Sequence, residues 1–290
     1  MAFYADTFVF DNVDCSTYDL ILLDVHQSTE NSSHFASGPT ISEDYVNRQW
    51  KPYFYGVSRP EKLTFQMSVG LNACRMGAGT HLTRTEIANI MKWLTSPNTY
   101  REMYIEQPDM VVQVSPSETR PLYHYKCMIT DVELQFIDDK PWGFTFTVTC
   151  DSPYAYVSGS YTTTMGVNTS ISITNTNTSV LEQLTYPKFT ISYTNVTPGS
   201  LTIANSTTGQ TCTLTNIPSD VTQIIIDGGN RVIRSTPQRN LYAGFNFVFV
   251  GLARGENSLT VSNTSTATPG TTRPQISFGI DYERPVDIGA

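Results

Sequence analysis

The chain has 290 residues, of which 39% are hydrophobic and only 15% charged, and it carries a net charge of −8. That length accommodates two ordinary domains. No run of about 18 apolar residues occurs, which excludes a membrane-spanning helix, and the start, MAFYADTFVF, has neither the basic segment nor the long apolar stretch of a secretory signal.

The charge is unevenly divided. Residues 1–156 hold 11 Lys and Arg against 19 Asp and Glu, whereas residues 157–290 hold 7 of each kind. All three Trp and all four His lie in the first part, and Ser plus Thr rises from 27 to 39 in the second. These shifts predict two domains, 1–156 and 157–290. The 16 Tyr and 14 Phe favour strands over helices.

In chain order, TFVF (7–10) and YDLILLDV (18–25) read as strands. Residues 27–38, QSTENSSHFASG, have no face to bury and read as a loop or extended arm. Residues 41–55 mix aromatics with charges and read as an edge hairpin, covered either by another chain or by its own domain. In KLTFQMSVG, Leu63, Phe65, Met67 and Val69 alternate with polar residues, the period of a half-buried strand. RMGAGTH then supplies a glycine turn. It lacks the ending of a phosphate-binding loop.

A helix is predicted over LTRTEIANIMKWLTSPN. Ile87, Ile90, Met91 and Leu94 form one apolar stripe, Thr83 with Glu86 forms a capping box, and Pro97 marks the stop. In YHYKCMITDVELQF the apolar parity switches between Ile129 and Val132. A bulge near Thr130–Asp131 would return Val132, Leu134 and Phe136 to the buried face. Asp138, Asp139, Pro141 and Gly143 then supply hairpin turn chemistry. The next strand places Phe144, Phe146, Val148 and Cys150 on one face and ends where Pro153 restricts Ser152.

The second part shows short strands at even spacing: 170–173, 188–193, 200–205, 223–227, 245–250, 257–261 and 276–282. Turn signals separate them, and SNTSTATPGTTRP reads as a loop. The fold class predicted is mainly β: an N-terminal antiparallel, sandwich-like domain with one α-helix, followed by a C-terminal β-sandwich.

Chemistry is sparse. The adjacent acids Glu43–Asp44 and Asp138–Asp139 are not spaced for acid/base work. His26, His34, His81 and His124 show no metal-binding spacing, and the cysteines at 15, 74, 127, 150 and 212 include no CxxC pair. Cys127 and Cys150 sit on apolar strand faces and read as buried thiols, which implies synthesis in a reducing cytoplasm. No nucleophile stands beside a base and no basic patch suits nucleic acid. No residue is therefore assigned a catalytic, cofactor-binding or metal-binding role, and the expectation is a protein that is not an enzyme and holds no cofactor. For the C-terminal sandwich, carbohydrate binding is the alternative. The absence of Trp beyond residue 156 weighs against it, while Tyr and Phe remain for stacking.

The order of motifs carries a resemblance. Phe8-Val9-Phe10-Asp11 opens the chain, and Leu63-Thr64-Phe65-Gln66-Met67 precedes a helix ending in Trp93-Leu94. A hairpin runs into Phe146 to Tyr156 (FTVTCDSPYAY), and the second part contains IIIDGGN (224–230), Asn240-Leu241 and GENSLTV (255–261). This succession resembles the distal tail proteins of long-tailed, non-contractile bacteriophages. The resemblance implies an N-terminal domain closing into a hexameric ring between the tail tube protein and the tail-tip or baseplate proteins, with a galectin-like C-terminal sandwich. It also implies location at the tail tip of the virion. DNA would pass through the ring without specific binding, and an acidic wall would suit that passage, because phosphate binding needs cationic partners. The other reading of the acidic excess is an outward-facing one that confers solubility. The runner-up function is a host receptor- or carbohydrate-binding tail module.

Overall fold

The computed structural model describes residues 7–26, 40–46, 50–58, 62–72, 81–105, 111–115, 118–121 and 123–286. The polar stretch 27–38 and the glycine turn before His81 lie outside the described residues. The chain divides into two compact units, residues 1–156 with 287–290, and residues 157–286. Both are built of antiparallel sheets, and the fold is mainly β with one α-helix. No helix among the described residues is long and apolar enough to cross a membrane.

The first unit contains β1 (Phe8–Phe10), β2 (Val13–Asp14), β3 (Leu20–His26), β4 (Thr40–Asp44), β5 (Tyr53–Ser58), β6 (Thr64–Leu71), α1 (Arg84–Thr95), β7 (Arg101–Ile105), β8 (Val111–Ser115), β9 (Glu118–Pro121), β10 (Tyr125–Ile137) and β11 (Lys140–Cys150). Seven of these strands form one sheet in the order β2-β1-β7-β10-β11-β6-β3. Period-two alternation puts Leu63, Phe65, Met67 and Val69 in the core, and on β11 it buries Phe144, Phe146, Val148 and Cys150, as the sequence predicts. Thr83 and Glu86 make both bonds of the capping box, so two of the helix's otherwise unpaired N–H groups are satisfied at its start. Ile90 and Leu94 of α1 are buried together with Trp93, which stacks on Phe8 and Tyr18.

The parity switch in β10 is a bulge: Ile129 pairs with Val148 and Asp131 with Thr147, leaving Thr130 as the extra residue. A second register shift follows, because Gln135 pairs with Gly143 and Phe136 with Pro141. This corrects the expectation for Phe136, which is 58% exposed. The turn itself is only Asp138–Asp139, both left-handed at φ 49 and 59. Pro141 and Gly143 belong to the strand. Gly143 is required there because a Cβ would overlap the carbonyl oxygen of Val69 and approach Gly70 Cα to 3.1 Å.

The second unit contains β12 (Ala155–Met165), β13 (Ser170–Asn177), β14 (Lys188–Thr194), β15 (Val196–Thr197), β16 (Leu201–Asn205), β17 (Gln210–Leu214), β18 (Gln223–Asp227), β19 (Val232–Thr236), β20 (Gly255–Asn263), β21 (Thr266–Ala267) and β22 (Gln275–Val286). A five-stranded sheet, β12-β22-β14-β18-β19, and a four-stranded sheet, β13-β20-β16-β17, enclose one core. Phe189, Ile191, Ile224, Ile226 and Phe278 come from the first sheet; Ile203, Leu214, Leu259 and Val261 come from the second.

Two expectations are corrected here. FNFVFV (245–250) is not a strand: Phe247 adopts φ 58, which breaks the extended chain. The main chain bridges to β17 only at Phe245, and beyond it the Asn246 side-chain amide takes over, accepting from Thr213 N–H at 3.0 Å and donating to the Thr211 carbonyl at 2.8 Å. The segment 262–274 is not wholly loop either. Asn263 completes β20, β21 pairs with β15, and the buried Asn263 amide donates to the Gly166 and Thr169 carbonyls.

Candidate assembly surface

The β4–β5 ribbon forms because β-branched and aromatic residues dominate its strands. Ile41 pairs with Val57, Ser42 with Gly56, Glu43 with Phe54 and Asp44 with Tyr53. Tyr55 is therefore the extra residue of a bulge, next to Gly56 at φ 128, a conformation that favours glycine. The bulge breaks the alternation, and Tyr53, Phe54 and Tyr55 are all exposed, as are Ile41, Tyr45, Val46 and Val57. Trp50 is 86% exposed, with Lys51 Nζ 4.8 Å from its ring centroid. An isolated two-stranded ribbon is marginally stable in water, and burying one such side chain is worth about 1.5–3 kcal/mol. Of the two readings open for this hairpin, these exposures leave it uncovered by the chain's own described residues.

The same unit leaves a sheet edge open. β3 is seven residues long, pairs only with β6, and has no strand beyond it among the described residues. Its Leu23 is exposed. The opposite edge is the two-residue β2, too short to template another chain. A third exposed feature is the β10–β11 tip, where Phe136 and Ile137 stand beside Asp138 and Asp139.

The second unit treats two of its edges differently. On β19, the Ile233 N–H donates to the Tyr242 hydroxyl at 3.3 Å, and β17 is met by Asn246 as described. Both edges are blunted by the segment between residues 237 and 250.

Among the described residues, no three of the acids, histidines and cysteines noted in the sequence come together. Glu43 and Asp44 lie exposed on the ribbon, and Asp138 and Asp139 form the β10–β11 turn. His124 is buried, its ring 5.3 Å from Tyr104 and 5.9 Å from Tyr156, His81 is half-buried, and His26 ends β3. His34 and Cys74 lie outside the described residues. Cys127 faces Cys150 across β10 and β11, and both thiols are free and buried. Burial, with Asp151 adding to it, pushes the Cys150 thiol up to about 12. It is a protonated packing group at neutral pH rather than a nucleophile.

The exposed aromatic ribbon was signalled by the residues at 41–55. The exposure of Phe136 and of Phe247 was not: each depends on a local backbone irregularity that no periodicity records.

Comparison with known families and structures places this architecture. The phage tail protein N-terminal domain family matches residues 3–152, and the phage tail C-terminal domain family matches residues 154–269. No curated protein matches by sequence. Among solved structures, the chain is similar to the Dit protein of phage SPP1, described as a paradigm of the hub adsorption apparatus in phages infecting Gram-positive bacteria. The TM-score is 0.58 at 12% identity, covering 97% of this chain and 99% of that one. It is also similar to a chain of the phage p2 baseplate in its activated conformation with calcium, with a TM-score of 0.55 at 7% identity over 98% and 99% of the two chains. The strontium form of that baseplate gives 0.53 at 8% identity, with the same coverage. These likenesses span both units and establish a shared fold. The chain belongs to the phage tail protein family, whose members are structural parts of the virion.

Proposed function

We propose that this chain is a distal tail hub. Six copies close through residues 1–156 into a ring that joins the tail tube protein to the tail-tip or baseplate proteins and surrounds the path of the ejected genome. The observation that carries this reading is that, among the described residues, one unit holds both an uncovered aromatic ribbon and an open sheet edge at which Leu23 is exposed. They are formed by different strands, β4–β5 and β3, in different sheets. A contact between the ribbon of one copy and the β3 edge of the next is therefore head-to-tail, and such contacts close into rings when the rotation permits. Strand addition would satisfy the backbone groups of β3 that no described strand pairs, and burial of Trp50, Tyr53, Phe54 and Tyr55 would supply the apolar surface. The family membership and the shared fold with a Dit hub agree with it.

The acidic excess of residues 1–156 suits a conduit for DNA. Asp131, Glu133, Asp138 and Asp139 are exposed on β10 and its turn, and carboxylates release no counterions from phosphates. The protein is made in the host cytoplasm, where its buried thiols stay reduced.

The test is the native mass of the purified chain, alone and with the tail tube protein. Six chain masses, and a complex with tube protein, are expected. A chain that stays single under every condition and ignores tube protein overturns the proposal.

A further inference from the structure

Phe245, Phe247 and Phe249 alternate, so in a regular strand all three rings would point the same way. Phe245 and Phe249 are buried, whereas Phe247 is 66% exposed. The backbone sends it outward through φ 58, a strained conformation that is rare for a bulky residue. The surrounding bonds hold it there. Asn246 is tied to Thr211 and Thr213 of β17, and its side-chain oxygen also accepts from the Val248 N–H at 3.3 Å. Beside Phe247 stands Tyr242, 40% exposed, its ring 6.1 Å away and inclined by 17°. The Tyr242 hydroxyl is fixed by Ile233 N–H and its backbone N–H by the Asn240 side chain. The molecule thus holds two near-parallel rings in water on fixed supports, at a cost in backbone strain.

The size and surroundings of the pair define its occupant. Among the described residues of the second unit the other exposed large apolar side chain is Tyr161. Two rings are far too little for a protein interface, which needs roughly 800 Å² per partner, but they match the apolar face of one sugar ring. The exposed groups along the adjoining chain are uncharged hydroxyls and amides: Thr211, Thr215, Asn240 and Asn246. Two cations of this part of the unit are engaged, Arg239 with Asp220 and Arg231 with the rings of Tyr186 and Phe249.

We propose that Tyr242 and Phe247 form a stacking platform for a single neutral pyranose of a surface glycan, with Asn246 and the β17 threonines as hydrogen-bonding neighbours. This site stands independently of the ring reading, since it lies wholly within residues 157–286.

The experiment is saturation-transfer NMR on the full chain with neutral oligosaccharides of glucose, galactose and N-acetylglucosamine, for the native protein and for Phe247→Gly and Phe247→Trp. At least one probe is expected to bind, with transfer to its ring C–H protons. Phe247→Gly should weaken that binding about tenfold or more, while melting at the same temperature or higher because the strain is relieved. Phe247→Trp should retain binding. Oligomeric state should be unchanged in both, so failure of this proposal is separable from failure of the ring. Absence of binding by every probe, or undiminished binding by Phe247→Gly, would overturn it.

Discussion

Trp93 donates its indole N–H to the carbonyl oxygen of Phe10 at 3.0 Å, across 83 positions of sequence. That bond ties the last turn of α1 to the first strand of the chain, and the indole stacks on Phe8 at 5.8 Å and Tyr18 at 5.0 Å. Replacing Trp93 by Ala should cost about 3–5 kcal/mol through the cavity left behind. Trp93→Phe should cost about 1–2 kcal/mol, chiefly from the orphaned carbonyl. Urea unfolding followed by near-UV circular dichroism measures both, and a Trp93→Phe cost near zero would show that the hydrogen bond is immaterial.

The ribbon separates folding from assembly. Trp50→Ser combined with Tyr53→Ser, Phe54→Ser and Tyr55→Ser removes exposed groups only, so the melting temperature of the monomeric chain should hardly move. The same variant should fail to form the ring in native mass measurements. A quadruple variant that assembles as the native chain does would remove the ribbon from the interface.

Three buried asparagines organise one end of the second unit. Asn205 Nδ2 donates to the Gly251 carbonyl and to Asn257 Oδ1. Asn257 Nδ2 donates to the Ala253 and Gly255 carbonyls, and Asn177 Nδ2 to the Leu252 carbonyl. Their amides do the work of a strand along residues 251–255. Asn257→Ala should cost about 1–3 kcal/mol for each backbone group left unpaired, measured by chemical denaturation of the full chain. A loss under about 0.5 kcal/mol, the scale of an ordinary surface substitution, would contradict this role.

Buried thiols give the fold an alkaline limit. Burial raises Cys150 and Cys212 from 9.0 to about 12, so the native state holds protons that the unfolded chain releases first. Their contribution is therefore complete below pH 9 and is lost as the pH rises toward 12. Stability should fall across that window, and Cys212→Ala should shallow the fall in the second unit. In a Cys74→Ser background, the buried thiols of Cys15, Cys127, Cys150 and Cys212 should also resist Ellman's reagent at pH 8 and react on unfolding. Rapid modification of the folded chain would contradict their burial.

Much of the fold was legible where side-chain period alone decides the outcome. β6 and β11 bury every second residue, and α1 declares both its stripe and its cap. The sequence failed where the backbone departs from period. The bulge at Thr130 was visible as a parity switch, but the shift that exposes Phe136 leaves the same apolar pattern that a buried strand would. Phe245-Asn246-Phe247 likewise spells a strand, and only the capture of the Asn246 amide by β17 explains why it is not one. The assembly surface was half legible. Aromatics among charges in 41–55 signal an edge hairpin, while the open edge of β3 depends on which strands end the sheet, a property of topology.

The central claim is that copies of this chain close head-to-tail around an axis. Electron-microscopic class averages of the purified assembly, viewed down that axis, test it most directly. A sixfold ring with an open centre, lost in the Trp50, Tyr53, Phe54 and Tyr55 quadruple variant, is the predicted image. Isolated compact particles, or twofold dimers without a central opening, would contradict it.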